Sequence, residues 1–188
     1  MGVIEGGVVM PGGERVQTEV IGAAASTTAV HAAVTDNGAQ QVVTTGINGP
    51  QVPARITATA GGTAGDIKAI QVIIAGTDPV GTAITETLDA FTVNTPGTVT
   101  GLKVFKTVTS ITIPAHDGTG ATTAIGFSDV LGLNHRLSRK SVKSAYLDAV
   151  LEGTAPTVVV NATDIESNTV DLNSALNSVP VVVEFVKS

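Results

Sequence analysis

Three histidines, a scatter of carboxylates and two glycine-rich stretches are the residues of this chain with chemical potential. His31, His116 and His135 stand outside metal-ligand spacing of one another, and only His116 has an adjacent carboxylate, Asp117. That pair runs into Gly118-Thr119-Gly120 and has two readings. It offers a general base beside a small anion nest of backbone N–H groups, or a turn in which the aspartate accepts hydrogen bonds from its own backbone. The turn is the commoner use of such residues. Gly61-Gly62-Thr63-Ala64-Gly65 and Gly118-Thr119-Gly120 match neither a phosphate-binding loop nor a dinucleotide fingerprint; the first lacks a following Lys-Ser/Thr and a helix behind it. Gly126-Phe127-Ser128-Asp129 is no nucleophile elbow, which needs glycine two residues to either side of the serine.

Oxygen ligands are equally dispersed. Asp66, Asp78, Glu86 and Asp89 are isolated, and Asp164-Ile165-Glu166 has no spaced calcium loop around it, so a solvated turn is expected there. Asn161-Ala162-Thr163 matches a glycosylation sequon, a frequent chance match. The absence of cysteine removes disulfides, thiolate metal sites and cysteine nucleophiles. The expectation is therefore no catalytic residue, no cofactor and no metal, and hence no enzyme.

Composition narrows the partners. A net charge of −6 argues against nucleic acid, because phosphate binding needs clustered Lys and Arg. The one basic cluster, Arg136, Arg139 and Lys140 with Lys143, reads as a solvated turn or an interface patch. No apolar run approaches the roughly 18 residues of a membrane span, and no basic stretch followed by an apolar one marks a secretory signal. Apolar residues reach 43% while only 14% are charged and 3% aromatic, so the core must be Val, Ile, Leu and Ala. A surface so poor in charge points to assembly into a homo-oligomer or a larger particle, where another subunit covers the sheet edges.

The elements that must position these residues read as strands. Arg15–Ala25, Thr27–Thr35 and Gln40–Ile47 carry β-branched residues, with Asp36-Asn37-Gly38 as a turn between the last two. Arg55–Ala60 alternates, with Ile56, Ala58 and Ala60 on one face; Ile70–Ile74 is nearly continuous and predicts a central strand buried on both faces. Phe105, Thr107, Thr109, Ile111 and Ile113 are expected to share one side of a following strand, and Thr122–Phe127 to form a short one. Asp129–Leu137 reads as irregular or a single helical turn, Val170–Leu176 as a short helix or extended, and Val181–Val186 as the last strand. Phe105 and Ile70 are predicted core residues. Recurrent turns without a helical period give an all-β fold, an antiparallel β-sandwich or barrel-like domain with an extended N-terminal arm. Residues 1–50 make the arm and leading strands, and 51–137 the sandwich core. Residues 138–188 either complete that domain or form a small second subdomain.

Met1–Gly13 holds five glycines and one proline around two apolar patches, Val3-Ile4 and Val8-Val9-Met10. Those five apolar residues are a candidate partner-binding arm; the other reading is a flexible tail.

The run Ile56–Val72, with Ile84–Leu88, Thr98–Gly101, Phe105–Ile111 and Ile113–Gly120, resembles β-rich virion proteins of tailed bacteriophages. The resemblance covers residues 50–137 and extends weakly into Val170–Leu176. It implies a structural protein of the phage particle without catalytic residues, on the head surface, with the major capsid protein or other virion subunits as partners. A capsid decoration or cementing protein is the leading expectation. The alternatives are a tail, neck or baseplate component, or a carbohydrate-binding fibre module, though the chain has no Trp and only Tyr146 to stack on a sugar.

Overall fold

The computed structural model describes residues 15–137 and 139–186, and within them the protein is all-β, without an α-helix. In chain order the strands begin with β1 (Arg15–Gly22), β2 (Ser26–Thr35), β3 (Gln41–Val43), β4 (Ala54–Gly62) and β5 (Ile73–Thr77). There follow β6 (Ala83–Thr87), β7 (Gly97–Phe105), β8 (Thr107–Ile113), β9 (Ala121–Gly132) and β10 (Val142–Leu147). The last are β11 (Val150–Leu151), β12 (Thr157–Val159), β13 (Thr169–Asp171) and β14 (Val179–Val186). They form three antiparallel sheets. One has the order β1-β14-β10-β11, and another β3-β8-β5-β6. The third has the order β12-β13-β9-β4-β7 with β2 also on β9, and one of the three sheets curls into a half-barrel.

β9 is the spine. Where the sequence predicts a short strand over Thr122–Phe127 and an irregular stretch after it, the chain stays extended for 12 residues. One edge pairs with β4 from Gly62↔Ala121 to Ala54↔Leu131. The other pairs first with β2, from Thr35↔Thr122 to Ser26↔Phe127, and then with β13 at Leu131 and Gly132. Two neighbours on one edge supply the pairing that local sequence lacks. Gly126 permits the close approach of β2: a Cβ there would sit 1.8 Å from the Ser26 carbonyl oxygen.

Two apolar clusters lie along this spine. The larger takes Val30, Ile56, Ile74, Phe105, Ile111, Ile125 and Phe127, among others, and the predicted core residues Phe105 and Ile70 are indeed buried, at 0% and 5% exposure. The smaller gathers Leu131, Leu133, Leu137, Val170, Val181, Val183 and Phe185 around the β1-β14-β10 sheet. Lys103 Nζ to Glu166 Oε1, 3.4 Å apart, ties β7 to the turn before β13.

Alternation fails where a bulge intervenes. Val108 and Ile111 both point into the core although they are three positions apart, because Thr109 lies in a register shift between Gly76↔Val108 and Ala75↔Ser110. Thr107 and Thr109 are therefore exposed rather than sharing the inner side with Ile111 and Ile113. The chain also changes sheets at Lys106, so the expected single strand is two. Ile70–Ile74 is a second correction. The strand begins only at Ile73 and, although central between β8 and β6, buries alternate residues on one face.

Candidate functional site

His116 and its neighbours form a closed polar cluster. The Lys68 backbone N–H donates to His116 Nδ1 at 3.2 Å, which leaves the proton on Nε2 to be donated to Thr123 Oγ1 at 3.0 Å. His116 N–H donates to Asp36 Oδ1 at 3.0 Å, and Gly38 N–H to Asp36 Oδ2 at 2.9 Å. Asp36, His116 and Thr123 are all buried, and the imidazole stacks on Phe91 with 6.0 Å between ring centres. Burial pushes the imidazole below its ordinary pKa of 6.5, against the pull of Asp36 and Asp117. Both ring nitrogens are engaged within the fold, so the imidazole pins the 116 loop to the Lys68 segment and to β9, while the His116 backbone N–H ties it to the Asp36 turn. Asp117 points away, to an exposed pairing with Lys68 at 3.1 Å.

The glycine-rich stretches meet each other, and they hold a carboxylate of the chain itself. Gly120 N–H donates to Asp66 Oδ2 at 2.9 Å, and Asp117 N–H to the Asp66 carbonyl oxygen at 3.1 Å. A Cβ on Gly118 or Gly120 would sit 2.5 Å from that carboxylate. The nest that the sequence offered to an external anion is thus filled by Asp66.

Several of the remaining candidates also take structural roles. Asn161 Oδ1 accepts from the N–H groups of Thr163 and Asp164, and Asp164 opens a short 3-10 turn. Asn168, fully buried, joins three segments. Its Oδ1 accepts from Leu137 N–H (3.0 Å) and Asn161 N–H (2.9 Å), and its Nδ2 donates to the carbonyls of Asn161 (2.8 Å) and Asp164 (3.0 Å). Glu86 Oε1 accepts from Leu102 N–H at 2.6 Å and Lys103 N–H at 3.1 Å, bracing the wide bulge of β7. Asp171 is held above its ordinary pKa by burial and by Asp129, with Arg55 opposing. His31 meets the Ala32 carbonyl, and His135 packs on Phe185. Among the described residues no three His, Asp or Glu side chains converge as a metal site.

A cleft of about 570 Å³ opens between β10 and β12. Val142, Ala145, Leu151 and Val158 line it, together with the charged residues Lys140, Lys143 and Glu152. Half of the basic cluster thus belongs to this cleft. Above it the β10–β11 hairpin exposes Val150 (69%) and Leu151 (57%). The hairpin turns through Asp148 and Ala149, at φ 51° and 61°, the geometry of a two-residue type I′ loop. Sequence reasoning missed this site because the pairing of β10 with β14 is set by residues about 40 positions apart. The proposed arm residues Val3, Ile4, Val8, Val9 and Met10 lie outside the described residues.

No family model matches the chain, and no curated protein or solved structure matches it either.

Proposed function

We propose that this is a non-enzymatic structural protein of a tailed-phage particle, a decoration or cementing subunit that binds across capsid subunits on the head surface. One observation carries this reading beyond the sequence resemblance. The surface presents large apolar side chains on strands and turns, Leu102, Val42, Val80 and Val150 each more than half exposed, in a chain only 14% charged. Such a surface suits contact with other protein subunits. The chemically promising groups, His116 and Asp66, are spent on internal bonds. A subunit that binds only the assembled shell stabilises that shell by mass action.

Co-sedimentation tests this. Purified protein mixed with undecorated, expanded heads pellets with them saturably, in fixed ratio to the major capsid protein. Apolar contacts make the affinity weakly dependent on salt. Pelleting with tails alone would favour the tail, neck or baseplate alternative and overturn the decoration reading. A carbohydrate-binding fibre module would instead bind sugar columns, for which Tyr146 is the one stacking residue besides four Phe.

A further inference from the structure

The cleft between β10 and β12 lies between two free strand edges. β12 ends its sheet, and β11 pairs with β10 only at Tyr146 and Leu147, with one further bond from Glu152 N–H to the Ala145 carbonyl. Among the described residues, no strand pairs with the outer edge of β10 over Val142–Ser144. An apolar floor flanked by open backbone is the arrangement that accepts an added strand. We propose that it receives the N-terminal segment of a second copy of this chain, with Val8-Val9-Met10 beside Val142–Ser144 and running parallel to β10.

Charge sets the direction. Glu5 is the only charged side chain among residues 1–13; of the charged residues lining the cleft, Lys140 and Lys143 lie before and at the start of β10, while Glu152 follows β11 on the hairpin side. Parallel addition puts Glu5, three residues before Val8, at the Lys140 end; the antiparallel direction would carry it to the hairpin end instead. Length matches as well. The open edge is three residues long, as is the Val8–Met10 patch, and Pro11-Gly12-Gly13, residues of turns, follow that patch as the β11 pairing follows the open edge.

The same geometry identifies the donor as another molecule. Arg15 pairs with Val186, and Ser144 with Glu184 two residues along β14. With Met10 beside Ser144, its own Arg15 lies three strand spacings away, about 14 Å sideways and about 7 Å along the strands. The straight line of about 16 Å passes through β14 and β10, and five extended residues reach at most about 18 Å. Too little chain is left to go around. A segment from a second copy meets no such limit.

The chain has no cysteine, so disulfide trapping reads the contact directly. The full-length variants Val9→Cys, Lys143→Cys and, as control, Val80→Cys each carry one thiol at an arm or exposed position, and far-UV circular dichroism checks their folding. Mixed and mildly oxidised, V9C and K143C give a mixed disulfide dimer about tenfold or more above the V9C and V80C mixture, because docking raises the effective thiol concentration. Lys140→Glu lowers that yield, and adding Glu5→Lys to the V9C partner restores it. Equal yields in the two mixtures overturn the docking site. An internal disulfide in monomeric V9C/K143C, without mixed dimers between single variants, overturns its assignment to a second copy. The experiment uses purified protein without heads, so either failure leaves the decoration reading standing.

Discussion

Replacing Asn168 by alanine is expected to destabilise the fold by about 2–6 kcal/mol, and the structure says where the loss arises. Leu137 is 0% exposed, so its N–H, deprived of Asn168 Oδ1, has no water to turn to; an unsatisfied buried donor costs about 1–3 kcal/mol. Asn161 is half-buried, and its N–H and carbonyl each lose a partner at about 0.5–1.5 kcal/mol. The Asp164 carbonyl belongs to an exposed residue, where water substitutes at little cost. Urea unfolding followed by far-UV circular dichroism measures the sum as a shift in midpoint at unchanged slope. The near-isosteric Asn168→Asp separates hydrogen bonding from packing. It keeps the two accepting bonds but turns a carboxylate oxygen towards two carbonyls, so it is expected to lose more than alanine at pH 7. Those carbonyls raise its pKa in the folded state above that in the unfolded chain. The folded form then takes up the proton first, and N168D recovers stability as pH falls through the folded pKa. An alanine variant within 1 kcal/mol of the parent, or an aspartate variant whose deficit does not change with pH, would refute the assignment of Asn168 as the hub.

Three further outcomes follow from named residues. Phe105→Ala, at a site with no exposed surface, costs about 3–5 kcal/mol in the same unfolding assay; a loss under 1 kcal/mol would mean the core is misassigned. His116 has its pKa lowered in the fold, so the unfolded chain binds its proton first. Its stability contribution is full above pH 6.5 and declines as pH falls from there towards the folded value, and His116→Asn should flatten that slope. Ala149 sits at φ 61°, where a side chain costs about 1 kcal/mol, so Ala149→Gly should raise the unfolding midpoint; a lowered midpoint would contradict the hairpin geometry.

The fold class was legible because β-branched runs and turn residues recur: Ile56, Ala58 and Ala60 alternate into the core as their spacing demands. The Asp36-Asn37-Gly38 turn was also legible, with Asp36 accepting from Gly38 N–H. What escaped was set by distant pairing. β9 extends to Gly132 because β4 and β13 flank it there, and a bulge at Thr109 resets the inward face in a way that no local pattern announces. Among the chemical candidates, the turn-forming role of carboxylates was foreseeable. That Asp66 fills the glycine nest was not, because 54 residues separate it from Gly120. The β10–β12 cleft was invisible for the same reason.

The central proposal, a subunit that cements a capsid, is tested most directly by the thermal melting of undecorated, expanded heads titrated with this protein. If each copy binds the assembled lattice and not its dissociated subunits, the melting temperature climbs with free protein and keeps rising logarithmically above the dissociation constant, by about 2.7 kcal/mol of lattice stability per site at a hundredfold excess over it. A melting temperature that does not move once binding has saturated would contradict the account.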